Sequence, residues 1–517
     1  MSMSDSIKTI GLVGTGVMGA GIAQIAAQAG VRVRLFDARE GAAQTARDNL
    51  AATFATLLGK GKITQQAVDA ALDNLHVATA IDALHDCDMV VEAIVENLDA
   101  KRGLLQQLEG IVSERCILAT NTSSLSVTAI ATGCQHPERV AGLHFFNPVP
   151  LMRVVEVIDG LATTPVVGDR LLAFVARTGH RGVRAKDTPG FIVNHAGRAY
   201  STEALKMLDE SFAERGDIDR ILRDGAGFRM GPLELMDLTG VDVSHPVMES
   251  IYNQYYQDPR YKPSALTRQM LVGGRLGRKT GQGFYRYDNG KMIDGPQPQA
   301  VPSVSALPPV WIATENTDDY ERLSALLIDL GAQLESTAQP SAEALCLLAP
   351  YGRDATSACD RFDTDPARTV CIDLFTDLSR HRTLMQTPLT VPAMRDAAHA
   401  LLARDGVGVT VIGDSVGFVA QRTLALVVNL ACDIAQQRIA SVDDIDQAVH
   451  LGLGYPLGPL AWGDALGARR ILTILQRMSE LTLDPRYRPS PWLRRRATLG
   501  VSLLHVEPAS DLSKGQQ

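Results

Sequence analysis

His144 and Glu156 are the pair in this chain best placed to move a proton. They close two short apolar runs, VAGLHF and MRVVE, within the stretch GLHFFNPVPLMRVVE at residues 142–156. The NPVP between them cannot continue either strand, because proline has no amide proton to give a sheet ladder. A hairpin-like reversal there sets imidazole beside carboxylate, the arrangement of a general base held by its partner. A satisfied core histidine near a surface glutamate is the competing explanation, which this stretch by itself leaves open.

Other residues able to do chemistry also fall where apolar runs end. Residues 8–13 lead into Gly14, Gly16 and Gly19, followed by a helical pattern at 17–29 and the strand VRVRLF, which ends on Asp37. Strand, GxGxxG, helix, strand and acid form the complete context of a dinucleotide site rather than a glycine pattern alone. Gly14 permits the tight turn, Gly16 lets the backbone approach a pyrophosphate, and Gly19 lets helix and strand pack. The helix N-terminus then offers free N–H groups to the phosphates. Asp37 can accept from ribose hydroxyls and repels a 2'-phosphate, which favours NAD over NADP, although Arg39 nearby weakens that preference.

Further along, DMVVEAI leads to Glu96 and CILATNTSS leads to Ser123. At the carboxyl ends of parallel strands, Glu96, Ser123 and His144 can share one crevice. Ser123 and Ser124 each have the alternative role of helix N-cap. Thr188 and Pro189 open a helical pattern over 191–207, which sets Asn194 in its first turn, able to reach back over the crevice. Lys279, in the loop RKTGQGFY, can return to the same place. Residues 38–62 read as an amphipathic helix ending in Lys60 and Lys62, which complement its dipole or, alternatively, anchor an anionic ligand tail.

The chain has 517 residues, so roughly three or four domains of ~100–200 residues are expected. A formal net charge of −8 argues against nucleic acid as a bulk partner but does not exclude an anionic small ligand. The 7 cysteines are scattered, with no CxxC spacing, so neither a disulfide framework nor a metal site is expected. No apolar run approaches the ~20 residues of a membrane span, and MSMSDSIKTI lacks the apolar core of a leader. The expected compartment is the cytoplasm.

Residues 295–310 are proline-rich and read as a linker, and beyond them the chain repeats itself. Gly190 and Phe191 recur as Gly417 and Phe418, Ile218 and Asp219 as Ile445 and Asp446, each 227 positions on (417 − 190). DPRYKPS at Asp258 recurs as DPRYRPS at Asp484. At the 227 offset His144 falls on Cys371, Glu156 on Thr383 and Asn194 on Gln421, and no GxGxxG precedes them. The second half should therefore be structural.

Taken in order, GLVGTGVMGAGIA, VVEAIVEN, NTSS, GLHFFNPVPLMRVVEV, DTPGFIVN, GAGFRMGPLELMDLTG and GRKTGQGFY closely resemble the L-3-hydroxyacyl-CoA dehydrogenases over residues 7–287. The repeated C-terminal part is similar to the two-repeat bacterial form associated with phenylacetate catabolism. The resemblance implies an α/β Rossmann-type NAD-binding domain at 1–186 and an all-α C-terminal domain at 187–294. After the linker it implies a degenerate α/β segment at 311–412, a second all-α domain at 413–505, and a tail at 506–517. It also implies catalysis by His144, Glu156, Ser123 and Asn194, with NAD contacts from Gly14, Gly16, Gly19, Asp37, Glu96, Lys101, Ser123, Asn147 and Lys279. Lys60 and Lys62 remain the candidates for the coenzyme A tail.

The implied reaction is NAD-dependent oxidation of an L-3-hydroxyacyl-CoA, with 3-hydroxyadipyl-CoA as the first candidate and 3-hydroxybutyryl-CoA as the second. A dehydrogenase of a free hydroxy acid and a non-enzymatic nucleotide-binding protein are the readings from other classes. The second helical domain is expected to pack on the first as an internal pseudo-dimer partner, with further homo-oligomerisation open.

Overall fold

The computed structural model describes residues 6–507, so most of the expected tail lies outside the described residues. The larger sheet is built from β1 (Thr9–Val13), β2 (Arg32–Phe36), β3 (Leu75–Val77), β4 (Met89–Glu92), β5 (Ile117–Thr120), β6 (Val140–Phe145), β7 (Val154–Asp159) and β8 (Arg181–Lys186). Their order is β3-β2-β1-β4-β5-β6-β7-β8, parallel throughout except between β6 and β7. Strands such as MVVE and ILAT are buried along their whole length, as strands covered on both faces must be. The chain order reverses between β1 and β4, the position where open α/β sheets receive ligands.

A short hairpin of β9 (Tyr287–Asp288) and β10 (Lys291–Met292) precedes the proline-rich stretch. The smaller sheet then follows with β11 (Val310–Thr314), β12 (Leu334–Glu335), β13 (Leu345–Ala349), β14 (Thr369–Ile372), β15 (His381–Gln386) and β16 (Gly408–Ile412), in the order β12-β11-β13-β14-β15-β16. Its only antiparallel pair is β14 with β15, matching β6 with β7.

The chain divides into two compact units that do not follow its linear order. One runs to His195 and includes Gln437–Leu453; the other comprises Ala196–Gln436 and Gly454–Gln517. Within the first unit, the helix Val442–Leu453 of the second repeat packs on β7 and β8. Lys186 N–H, at the end of edge strand β8, donates to the Ile439 carbonyl at 2.9 Å, so the sheet edge is covered by the repeat.

Within the second unit the reciprocal contact occurs. The turn Ile221–Gly225 of the first repeat packs on β15, and Arg220 bonds Thr410 of β16. Gly452 stands against Val154, the first residue of β7, as Gly225 stands against His381, the first residue of β15. Both pairs are related by the same offset (452 − 225 and 381 − 154 are each 227). Each repeat therefore braces the sheet of the other.

The helical pattern expected at 191–207 is two helices, Val193–Ala196 and Arg198–Asp209, parted at Gly197, whereas its repeat is the unbroken helix Val419–Gln436. The residue at the break is glycine in the first copy and Leu424 in the second (197 + 227), a difference of about 1 kcal/mol in helix preference. The helix expected over 38–62 spans Ala42–Gly59. In the second unit, Arg198–Asp209 of the first repeat packs along Val419–Gln436 of the second.

Candidate active site

His144 on β6 lies directly opposite Glu156 on β7, the reversal the prolines required. Imidazole Nδ1 is 2.6 Å from Glu156 Oε2, and the two residues are 4% and 0% exposed. The other carboxylate oxygen accepts from the N–H groups of Ile192 and Val193, each at 2.9 Å. Gly190 at φ 78 and Phe191 at φ 49 turn the backbone so that both N–H groups point at Glu156. A left-handed phenylalanine costs roughly 1–2 kcal/mol, and it is held here by burial, at 1% exposure. With Nδ1 committed to Glu156, Nε2 is the nitrogen left for proton exchange, and the Phe146 ring flanks the imidazole at 4.3 Å.

Glu96, Ser123 and Asn194 meet in the same unit. Glu96 Oε1 accepts from Thr122 Oγ1 at 2.6 Å, Ser123 N–H at 3.0 Å and Ser124 N–H at 3.2 Å, and Asn194 Nδ2 donates to the Ser123 carbonyl at 3.3 Å. Burial disfavours charge on Glu96, but the Lys101 ammonium and these hydrogen bonds prevail and hold its carboxyl below the usual range. Asn121 Oδ1 accepts from Phe145 N–H, tying the end of β5 to the strand that carries His144.

The dinucleotide elements are arranged to receive their ligand. Gly14, at φ 93, packs so tightly at the switch point that a Cβ would stand 2.6 Å from the Ala93 carbonyl oxygen. A Cβ on Gly19 would come within 1.9 Å of the Gly14 carbonyl, whereas one on Gly16 would meet nothing within 4 Å, leaving that backbone open to approach. Asp37 accepts from Thr15 N–H and Oγ1 at 2.8 Å and from Arg39 Nε at 3.1 Å. Burial opposes its charge, but those donors hold its carboxyl well below the usual range. These residues fit NAD: a bare backbone for the pyrophosphate and an ionised acid for the ribose.

With Arg39 already beside Asp37, Asp37→Ser should release a cation for a 2'-phosphate. We expect the NAD-to-NADP ratio of kcat/KM to fall by about tenfold or more, read from initial rates with each cofactor.

The other residues expected at the site are spread over several places. Lys101 is 1% exposed, with its ammonium 2.9 Å from both Glu92 oxygens and 3.3 Å from Glu96, so it braces Glu96 from beneath. Lys279 belongs to the second unit, where it pairs with Asp242. Lys60 and Lys62 lie in the exposed turn after Ala42–Gly59. Asn147 lines a groove of about 400 Å³ with Thr15, Gly16, Asn49 and Thr53. Asn49 and Thr53 were legible only as an i, i+4 polar pair on an amphipathic helix, which carries no functional signal of its own.

The equivalence of His144 with Cys371 is corrected by the sheet register. His144 is defined by its pairing across from Glu156, and the residue across from Thr383 is Asp373, whose N–H donates to the Thr383 carbonyl at 3.0 Å; Cys371 pairs with Met385. A constant offset cannot see a two-residue shift between paired strands. Asp373 is 1% exposed, accepts from Gln421 Nε2 at 2.9 Å, and has one oxygen without a hydrogen-bond partner.

Burial pushes the Asp373 carboxyl up to about 6. Above the ~3.9 of an unfolded aspartate, such a group stabilises the fold at low pH and loses that contribution as pH rises through about 6. Asp373→Asn is thus expected to melt above wild type at pH 7.5 and level with it near pH 4. Calorimetry across that range checks it.

Gly452 was not singled out from the sequence. A Cβ there would stand 3.1 Å from a Val193 methyl and 3.2 Å from one of Val154, the residue two before Glu156 on β7. Val193 is one of the two N–H donors to Glu156. Gly452→Val should overpack this support at ~1–3 kcal/mol and lower kcat by about tenfold with NAD affinity retained. Unchanged turnover would remove the second repeat from any part in positioning the pair.

Residues 9–188 match the family model described as 3-hydroxyacyl-CoA dehydrogenase, NAD binding domain. Residues 190–287 and again 417–502 match the corresponding C-terminal domain. The chain is 37% identical to the 3-hydroxyadipyl-CoA dehydrogenase of Escherichia coli (strain K12) over 96% of its own length and 99% of that protein. It is 39% identical to the rat mitochondrial hydroxyacyl-coenzyme A dehydrogenase over 54% of this chain and 91% of that one. Among solved structures, a 3-hydroxybutyryl-CoA dehydrogenase from E. coli K12 superposes with a TM-score of 0.84 at 37% identity, covering 96% of this chain and 99% of the other.

Proposed function

The chain belongs to the 3-hydroxyacyl-CoA dehydrogenase family, and from that premise we propose that it oxidises 3-hydroxyadipyl-CoA to its 3-oxo thioester with NAD. The observation that carries the choice of acyl chain is the correspondence with a 3-hydroxyadipyl-CoA dehydrogenase along 99% of that protein, both repeats included. Such a thioester arises in the breakdown of phenylacetate-type aromatics. The 7 thiols without disulfide pairing suit a reducing cytoplasm, and no helix among the described residues is long and apolar enough to cross a membrane.

In this reading NAD, when bound, accepts the hydride from C3. Neutral His144 takes the hydroxyl proton on Nε2. Glu156, held by the N–H groups of Ile192 and Val193, fixes the Nδ1–H tautomer and stabilises the imidazolium that forms. Ser123 and Asn194 orient the reacting oxygen and the thioester carbonyl, a gain in position more than in bonding. Gly16 would receive the pyrophosphate, with Gly14 allowing the turn and Gly19 the packing that bring it there, Asp37 would take the ribose, and Glu96, braced by Lys101, holds the Ser123 loop. Asn147 and Lys279 are assigned to NAD by family pattern, and Lys60 and Lys62 to the coenzyme A tail. The second helical repeat stands in for a partner subunit within one chain.

The second reading, 3-hydroxybutyryl-CoA, is favoured by the solved relative of matching length, a 3-hydroxybutyryl-CoA dehydrogenase. Steady-state kcat/KM on a panel of 3-hydroxyacyl-CoA thioesters decides between them. A preference of about tenfold for the adipyl over the butyryl thioester is expected. The reverse order would replace the substrate while leaving the reaction intact.

A further inference from the structure

A cleft of about 590 Å³ opens in the second unit, at the carboxyl edge of the smaller sheet. Glu315 and Asn316 follow β11, Tyr351 follows β13, and these strands are paired neighbours. After β11 the chain passes through the helix Thr317–Asp329 to β12 on one side and then returns to β13 on the other. The cleft therefore sits at the smaller sheet's own topological switch point, where such sheets take ligands. Its far wall is the helix Ala468–Thr482, which presents Arg469, Arg470 and Arg477.

The repeat shows that this wall is particular to the second copy. At the positions 227 earlier stand Asp242, Val243 and Ser250 (469, 470 and 477 minus 227), so one acid and two neutral residues correspond to three guanidiniums, in a chain of net charge −8. Arg477 is matched by Glu315, at 2.7 and 3.0 Å. Arg470 lies over the Tyr351 ring at 5.1 Å, with buried Asp319 at 3.8 Å. Arg469 donates to the Thr498 carbonyl at 3.4 Å. Two carboxylates thus face three guanidiniums, leaving a net positive wall beside the apolar edge of Leu466.

We propose that this cleft binds a nucleoside phosphate, with Arg469 and Arg470 taking the phosphate and the strip around Leu466 taking the base. Forked guanidiniums match phosphate oxygens bidentately. The volume falls within the ~300–1,000 Å³ of small-molecule sites and far exceeds what a bare phosphate fills. The second half of the chain, which lacks the glycine motif and the His–Glu pair, would then keep a ligand site of different chemistry. Two sources carry that chemistry, a free nucleotide such as ADP and the 3'-phosphoadenosine end of coenzyme A.

The test is calorimetric titration of the full chain, kept saturated with NADH, with ADP and separately with coenzyme A. At least one of the two should bind at a site whose affinity drops tenfold or more in the double variant Arg469→Glu, Arg470→Glu. Thr473→Trp, which fills the cleft without touching its charge, should do the same. Both variants should keep wild-type dehydrogenase turnover, which also shows that they fold. Whichever probe shows the arginine-dependent site names the source. The proposal is overturned if neither probe binds, if binding is unchanged in both variants, or if inorganic phosphate binds as tightly as the nucleotide. None of these failures bears on the catalytic reading, because His144, Glu156, Ser123 and Asn194 lie in the other unit.

Discussion

Alanine in place of His144 is expected to lower kcat by about 10³-fold, within the 10²–10⁴ that a positioned general base contributes, while NAD binds as in wild type. The expectation rests on Nε2 alone: Nδ1 is already committed to Glu156 at 2.6 Å, and the residue is 4% exposed, so bulk water is a poor substitute. Glu156→Gln is the informative companion. An amide can still accept from Ile192 and Val193, but it can present an N–H to His144 Nδ1 and turn the tautomer around, leaving Nε2 protonated and unable to act as base. The loss should again be about 10²–10⁴-fold in kcat. Stopped-flow hydride transfer, with NAD affinity measured by fluorescence, separates this from a folding defect. A His144→Ala enzyme with ordinary turnover would remove the histidine from the chemistry.

The largest stability effect is expected at Arg422, deep in the second unit. Its guanidinium, 2% exposed, donates to Glu203 Oε1 at 2.7 Å, Glu210 Oε2 at 2.6 Å, Ser415 Oγ at 3.0 Å and Tyr487 OH at 3.0 Å. Glu203 is fully buried and also takes Tyr487 OH at 2.9 Å and Arg486 at 3.3 Å. Glu203 comes from the first helical repeat and the three partners from the second, so this network joins the two copies.

Removing one member of such a pair leaves a buried charge uncompensated, and Arg422→Met should cost about 3–5 kcal/mol. Replacing both, Arg422→Met with Glu203→Leu, should recover most of that loss, because the desolvation cost of the two ions disappears together. Denaturant unfolding of the two single variants and the double closes the cycle. An additive double variant would show that the pair does not interact.

The His144–Glu156 pair was legible because its cause is local. Prolines between two apolar runs force a reversal, and strand alternation then sets the two side chains face to face. The dinucleotide loop was legible for a similar reason, since its glycines fall in one short turn between a strand and a helix, where Gly19 meets the Gly14 carbonyl within the loop itself. Lys101 was legible as a residue and not as a role. Its burial against Glu92 depends on how the helix Leu98–Glu109 seats on β4, which no spacing records. The Cys371 equivalence failed on register, because strand pairing, not chain offset, decides which residue faces Thr383.

By itself the sequence determined the scaffold and the candidate chemistry: a His–Glu pair, a dinucleotide loop, a helical domain present twice, and one copy of the candidate site. These follow from short segments whose constraints are steric and act within a turn or a strand. Only the tertiary structure decided that each repeat braces the other's sheet, that Gly452 presses on the support of Glu156, and that Arg422 and Glu203 lock the two copies together. Those contacts join residues more than 150 positions apart, such as Arg220 with Thr410 at a separation of 190 and Arg422 with Glu203 at 219. Their energy comes from burying faces and charges far apart in the chain, which only packing in three dimensions brings together.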